Sequence, residues 1–119
     1  MNKNNILIEK AYSIIVARAK KYNPIYYADL YEMIELDHNL PKDRHVGSSL
    51  LEEINKIFDK VFNTNLMLTS FVVSKGGNGP YKGFYSLAER LGRINTGLSD
   101  DGKQTFWIDE MKKIYNKLK

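Results

Sequence analysis

The sequence predicts an α+β fold, a winged helix-turn-helix with additional helices at its C-terminal end. Three observations lead there. Val46, Leu50, Leu51, Ile54, Ile57, Phe58, Val61 and Phe62 recur at three- and four-residue steps, which gives a central amphipathic helix. The run Leu66 to Ser74 is rich in β-branched and aromatic residues with few polar interruptions, the pattern of a strand buried on both faces. Gly76-Gly77-Asn78-Gly79-Pro80 then forces a turn, from which a short strand over Tyr81 to Phe84 returns as the wing.

The remaining elements fall into place around these. Ile6, Leu7, Ala11, Ile14, Ile15 and Ala19 mark a first helix over residues 5–21, with cations in its last turn. Asn23-Pro24 stops it, because the residue before proline avoids helical backbone. Tyr27 to Leu36 forms a second, shorter helix, and Asp37 to His45, with Asn39 and Pro41, reads as a turn. Phe84 to Leu91 is a small helix closed by Gly92. Residues 93–104 lack periodicity and read as a surface loop, after which Thr105 caps a last helix to Leu118.

At 119 residues the chain suits one domain, residues 1–119, with enough apolar content (43%) to build a core. It has no cysteine, so thiolate chemistry, disulfides and cysteine-based metal sites are excluded. The N-terminus leads into only three consecutive apolar residues, Ile6 to Ile8, far short of a signal core or a span, so the expectation is a cytoplasmic protein without membrane contact. Net charge is +4 with a pI of 9.2, a mild excess whose distribution matters more than its size.

Ile25, Tyr27, Leu30, Val46, Gly47, Leu50, Val72 and Val73 occur in the order of an "Ile/Val-x-Tyr-Gly-x-Leu-Ala" helix, a "Val-Gly-x-Ala-Leu" recognition helix and a Val-Val strand before a glycine turn. Over residues 25–83 the chain thereby resembles the winged helix-turn-helix domain of the alkylguanine DNA alkyltransferases and alkyltransferase-like proteins. That resemblance implies duplex DNA binding, with the third helix in the major groove and the wing on the backbone. Leu-Thr-Ser-Phe stands where that family carries Pro-Cys-His-Arg, so alkyl transfer to the protein is excluded. Val72 through Phe84 is also similar to a "Val-Val-x-Lys-x-Gly-x-Pro-x-x-Gly-Phe" segment of small bacterial and phage proteins, a likeness that implies no activity.

The charge distribution divides the surface. Residues 24–73 carry eight acids against four cations, a poor match to phosphate, whereas Lys75, Lys82, Arg90 and Arg93 surround Asn78, Tyr81 and Tyr85, mixing cations with aromatics as nucleic-acid surfaces do. The expected function is a non-enzymatic DNA- or RNA-binding module without cofactor. Lys42, Arg44 and His45 with Lys75, Asn78, Lys82 and Arg90 would meet phosphate, and Ser48, Ser49 and Glu52 would lie near base edges. The alternative is a protein-interaction module in which residues 24–73 meet a basic partner, such as a phage or mobile-element inhibitor of a host defence nuclease. A homodimer through the C-terminal helix is a further expectation. His38 and His45, seven apart in polar sequence, lack the spacing of a structural zinc site and read as solvated residues. Ser48-Ser49 reads as a cap and not a nucleophile, since no Gly-x-Ser-x-Gly elbow is present.

Overall fold

The computed structural model describes residues 3–77 and 79–119. Five α-helices account for most of them: α1 (Lys3–Lys20), α2 (Tyr27–Met33), α3 (Pro41–Phe62), α4 (Phe84–Arg90) and α5 (Asp100–Leu118). Two strands of two residues each, β1 (Ile25–Tyr26) and β2 (Val72–Val73), pair in parallel, Ile25 against Val72 and Tyr26 against Val73.

This corrects the expected winged helix and its α+β class. Leu66 to Ser74 is not a strand: Leu68–Phe71 form a 3-10 turn, and extended pairing is confined to Val72 and Val73. In place of a returning strand from Tyr81 to Phe84, a single antiparallel bridge joins Val73 to Pro80, so the described residues hold no β-wing. The physical reason lies in the partners of the backbone. Burial of Met67 through Val72 is as the apolar run implies, but side chains satisfy these peptide groups where a sheet ladder would otherwise do so. Glu110 Oε1 accepts from the Met67 amide at 3.1 Å, Asn55 Oδ1 accepts from the Thr69 amide at 3.0 Å, and the Trp107 indole donates to the Ser70 carbonyl at 2.8 Å.

Helix α3 begins at Pro41, five residues before the apolar stripe. Proline suits the first helical position, where its missing amide hydrogen would have had no partner and its fixed φ is already helical. Asp43 sits in that first turn and its carboxylate accepts from the Asp37 amide at 2.8 Å, anchoring the turn before it. At the other end Asn63 adopts left-handed backbone (φ 53°) and donates to the Asp59 carbonyl. Helix α5 likewise starts earlier than Thr105. Ser99 is the cap, its hydroxyl accepting from the Gly102 amide at 3.1 Å, with Asp100 and Asp101 in the first turn.

The core forms where α3 crosses α1 and the 67–72 segment. Leu50, Leu51, Ile54 and Phe58 of α3 meet Ala11, Ile15 and Ala19 of α1, with Met111 and Ile114 of α5 and Phe84, Leu87 and Ala88 of α4 closing the remaining sides. Val61, near the end of the predicted stripe, is 62% exposed because it faces outward, whereas Phe62 beside it still packs on the core. Among the described residues no helix is long and apolar enough to cross a membrane.

Candidate functional site

Because α3 starts at Pro41, Arg44, His45 and Ser48 stand on its first turns and not in a loop. A relay of hydroxyls fixes their position. Tyr27 Oη donates to Tyr31 Oη at 2.6 Å, and Tyr31 Oη donates to the Arg44 carbonyl at 3.3 Å. Gly47 permits it, since its bare Cα lets the Tyr31 ring lie directly against α3. Burial pushes the Tyr31 phenol well above its ordinary range, and the bond from Tyr27 acts in the same direction.

The opposite wall comes from the segment that follows β2. Tyr81 donates its amide to the Val72 carbonyl at 2.9 Å, and Ser74 Oγ donates to the Pro80 carbonyl at 3.1 Å, so the 74–81 loop is pinned to the strand pair. Tyr81 Oη lies 3.1 Å from Thr69 Oγ1, which accepts from Asn55 Nδ2 of α3 at 2.9 Å. The Tyr27 and Tyr81 rings are stacked across the junction of the two walls, 5.9 Å between centroids and 16° between planes.

Between the walls lies a cleft of about 630 Å³. It is lined by Tyr27, His38, Arg44, His45 and Ser48 on one side and by Ser74, Tyr81, Lys82, Gly83, Ser86, Leu87 and Arg90 on the other. No acid is among the lining residues, while two arginines, a lysine and two histidines are. Arg90 Nη1 reaches Glu52 Oε1 at 3.2 Å, a mostly exposed contact worth little to stability, so among the described residues this is the one side-chain partner an incoming anion would have to displace. Among the described residues the Arg44 guanidinium has one hydrogen-bond partner, the Asn39 carbonyl, at the outer limit for such a bond (3.5 Å). Planar guanidinium groups on either side of a concavity suit bidentate contact with phosphate or carboxylate oxygens.

Of the residues expected from sequence, Arg44, His45, Ser48, Lys82 and Arg90 come together here. Glu52 is the partner of Arg90 and stands just outside the lining. Lys42 and Ser49 are exposed on α3 and do not line the cleft. Lys75 sits one residue past Ser74 at the margin, with its ammonium 5.7 Å from the Tyr26 ring centroid. Asn78 lies outside the described residues. Arg93 is no surface cation: it is paired with the buried Glu110. Sequence reasoning read His38 as a solvated residue and left out Ser74, Ser86 and Leu87, and only the approach of two segments some forty residues apart brings them together. Tyr81 carried a signal, as an aromatic beside cations.

A second hollow beside α2, of about 450 Å³, is lined by Glu32, Glu35, Asp37 and Asp43 together with His38, which it shares with the cleft. Among the described residues no cluster of three or more histidine, aspartate or glutamate side chains is placed to hold a metal ion.

Burial raises the Tyr81 phenol to about 12, against the opposing effect of its Thr69 contact. Below pH ~10 the phenol is protonated in both folded and unfolded chains, and the folded state keeps its full advantage. As pH rises from ~10 through about 12 the unfolded chain releases the proton first, and roughly 2–3 kcal/mol of stability is lost. Urea midpoints at pH 8 and pH 11 test this: the fall should be smaller in Tyr81→Phe than in the parent. An equal fall would show that Tyr81 does not carry the effect.

No protein-family model matches this chain, and neither a curated protein nor a solved structure matches it.

Proposed function

We propose that this chain is a nucleic-acid-binding module that holds backbone phosphate in the cleft between the start of α3 and the Lys82–Arg90 segment. The observation that carries the reading is the convergence of Arg44, His45, Lys82 and Arg90, from two distant stretches, around one concavity that no acid lines. Phosphate contacts of this kind supply sequence-independent affinity and make it fall with salt. Tyr27 and Tyr81 add aromatic surface beside the cations, the composition of nucleic-acid grooves.

The test is a fluorescence-anisotropy titration of mixed-sequence oligonucleotides at low and moderate salt, with an Arg44→Glu, Lys82→Glu, Arg90→Glu variant beside the parent. All three side chains are exposed, so the variant should fold. With three phosphate contacts, log affinity is expected to fall against log salt with a slope of about −2 to −3, and the variant to lose binding. Absence of binding at either salt, or binding indifferent to salt and to the variant, would sink the reading.

The acidic hollow supports a second reading, the docking of a basic protein segment on residues 28–43. Failure of the oligonucleotide titration would move the weight to that face. A Glu32→Lys, Glu35→Lys variant would then be expected to lose affinity for a lysine-rich peptide that the parent binds.

A further inference from the structure

We infer that the nucleic acid taken by this cleft is single-stranded, with one unstacked nucleotide inside it and the adjoining backbone passing over the Tyr26–Lys75 pair. The inference rests on the phosphate-binding reading of the cleft. Its first ground is shape. Duplex DNA offers proteins a groove that admits a protruding helix or ribbon. Here the cations stand around a concavity of about 630 Å³, within the ~300–1,000 Å³ range of small-ligand sites, so the complementary object is a convex group that projects from the strand. A splayed-out nucleotide is such a group, and a base paired within a duplex is not.

The second ground is the surface beyond the cleft. Tyr26 and Tyr27 are neighbours in sequence, yet Tyr27 lines the cleft while Tyr26 points outward, 44% exposed. Lys75 follows Ser74 in the same way, the serine lining the cleft and the lysine standing outside it with its ammonium over the Tyr26 ring. Pairing of Tyr26 with Val73 holds the two segments side by side. Beside the cleft wall there thus stands a half-exposed aromatic ring with a cation next to it, on which a base can stack while the lysine meets the next phosphate. A rigid duplex would bury the paired edges of its bases and leave this ring without a stacking partner.

The third ground is direction. His38, which lines the cleft, also lines the hollow that holds Glu32, Glu35, Asp37 and Asp43, whose charge would repel phosphate. A strand leaving the cleft is accordingly turned away from α2's acidic side and toward Tyr26 and Lys75.

The experiment compares a fluorescein-labelled mixed-sequence single strand, the same strand in a blunt duplex, and that duplex with a single-stranded overhang, each titrated with the parent, Tyr26→Ala and Lys75→Ala. Both substituted residues are exposed. The single strand and the overhang should bind roughly ten-fold or more tightly than the blunt duplex. Tyr26→Ala should weaken the single strand by about ten-fold, the lower part of the range for a lost base–aromatic stack, and Lys75→Ala should reduce its salt slope by about 0.7. Equal or tighter binding to the blunt duplex, or indifference of the single strand to Tyr26→Ala, overturns the inference. If that duplex binding still depends on Lys82 and Arg90, the phosphate-binding reading stands without it. Failure of all three nucleic acids to bind overturns both.

Discussion

Replacing Arg93 with alanine is expected to remove about 3–5 kcal/mol from the unfolding free energy, a large part of the ~5–15 kcal/mol that holds a domain of this kind. The Glu110 carboxylate is 1% exposed and receives Arg93 in a two-pronged contact, Nη1 to Oε1 at 2.6 Å and Nη2 to Oε2 at 3.0 Å. Arg93 Nη1 also donates to the Asn65 carbonyl, and Glu110 Oε1 accepts from the Met67 amide. The pair thus stitches α5 to the chain that leaves α3, and Phe106 shields it with its ring 5.4 Å from the guanidinium. Without Arg93 the carboxylate stays buried with one backbone donor and no countercharge. Taking a carboxylate out of water uncompensated is what makes the single change expensive.

The pair as a unit is worth far less than that figure, because burying both charges carried a desolvation cost of its own. Arg93→Met with Glu110→Leu should therefore be less destabilising than the sum of the two single changes, though not neutral, since the Met67 amide loses its acceptor. Urea unfolding of the four chains measures the difference. If the single effects add to within about 0.5 kcal/mol, the two groups are not coupled and the account fails.

This pair also shows where sequence reasoning stops. Arg93 reads from sequence as one of the surface cations around Tyr81 and Tyr85, because nothing local reveals that it meets Glu110, seventeen residues on, inside the core. Helical stripes were legible where one face of a helix turns to the core, as for Ala11, Ile15 and Ala19 of α1 or Leu50, Ile54 and Phe58 of α3. The 66–74 run misled for a definite reason. Its β-branched and aromatic residues are buried as a central strand's would be, but Asn55, Trp107 and Glu110, distant in sequence, hold its peptide groups in place of neighbouring strands. Pro41 and Ser99 were read as loop residues because proline and serine mark turns and helix starts alike, and only the following backbone decides between them. For the cleft, the cations were legible one by one, and their meeting was not.

Gly47 illustrates the same limit and carries the second large effect. By intrinsic propensity Gly47→Ala, in the middle of a 22-residue helix, should stabilise the chain by about 1 kcal/mol. A Cβ at that position would, however, lie 1.7 Å from Tyr31 Oη and 2.1 Å from Tyr31 Cζ. Tyr31 is itself 1% exposed and tied at its hydroxyl to Tyr27 and to the Arg44 carbonyl, so the ring has nowhere to retreat without parting α2 from α3. Overpacking of this kind costs about 1–3 kcal/mol and sometimes more, and with backbone-anchored elements on both sides the expected net loss is about 3 kcal/mol. Tyr31→Phe should rescue little, because the ring carbon still collides. In a Tyr31→Ala background, which is itself weakened by the cavity, the added methyl should become neutral or favourable, and this reversal of sign distinguishes a steric cause from any general damage to α3. Because Tyr31 holds the Arg44 carbonyl, the same substitution should also lower oligonucleotide affinity under conditions where the chain remains folded. A Gly47→Ala chain more stable than the parent would mean that Tyr31 does not lie against the helix at all.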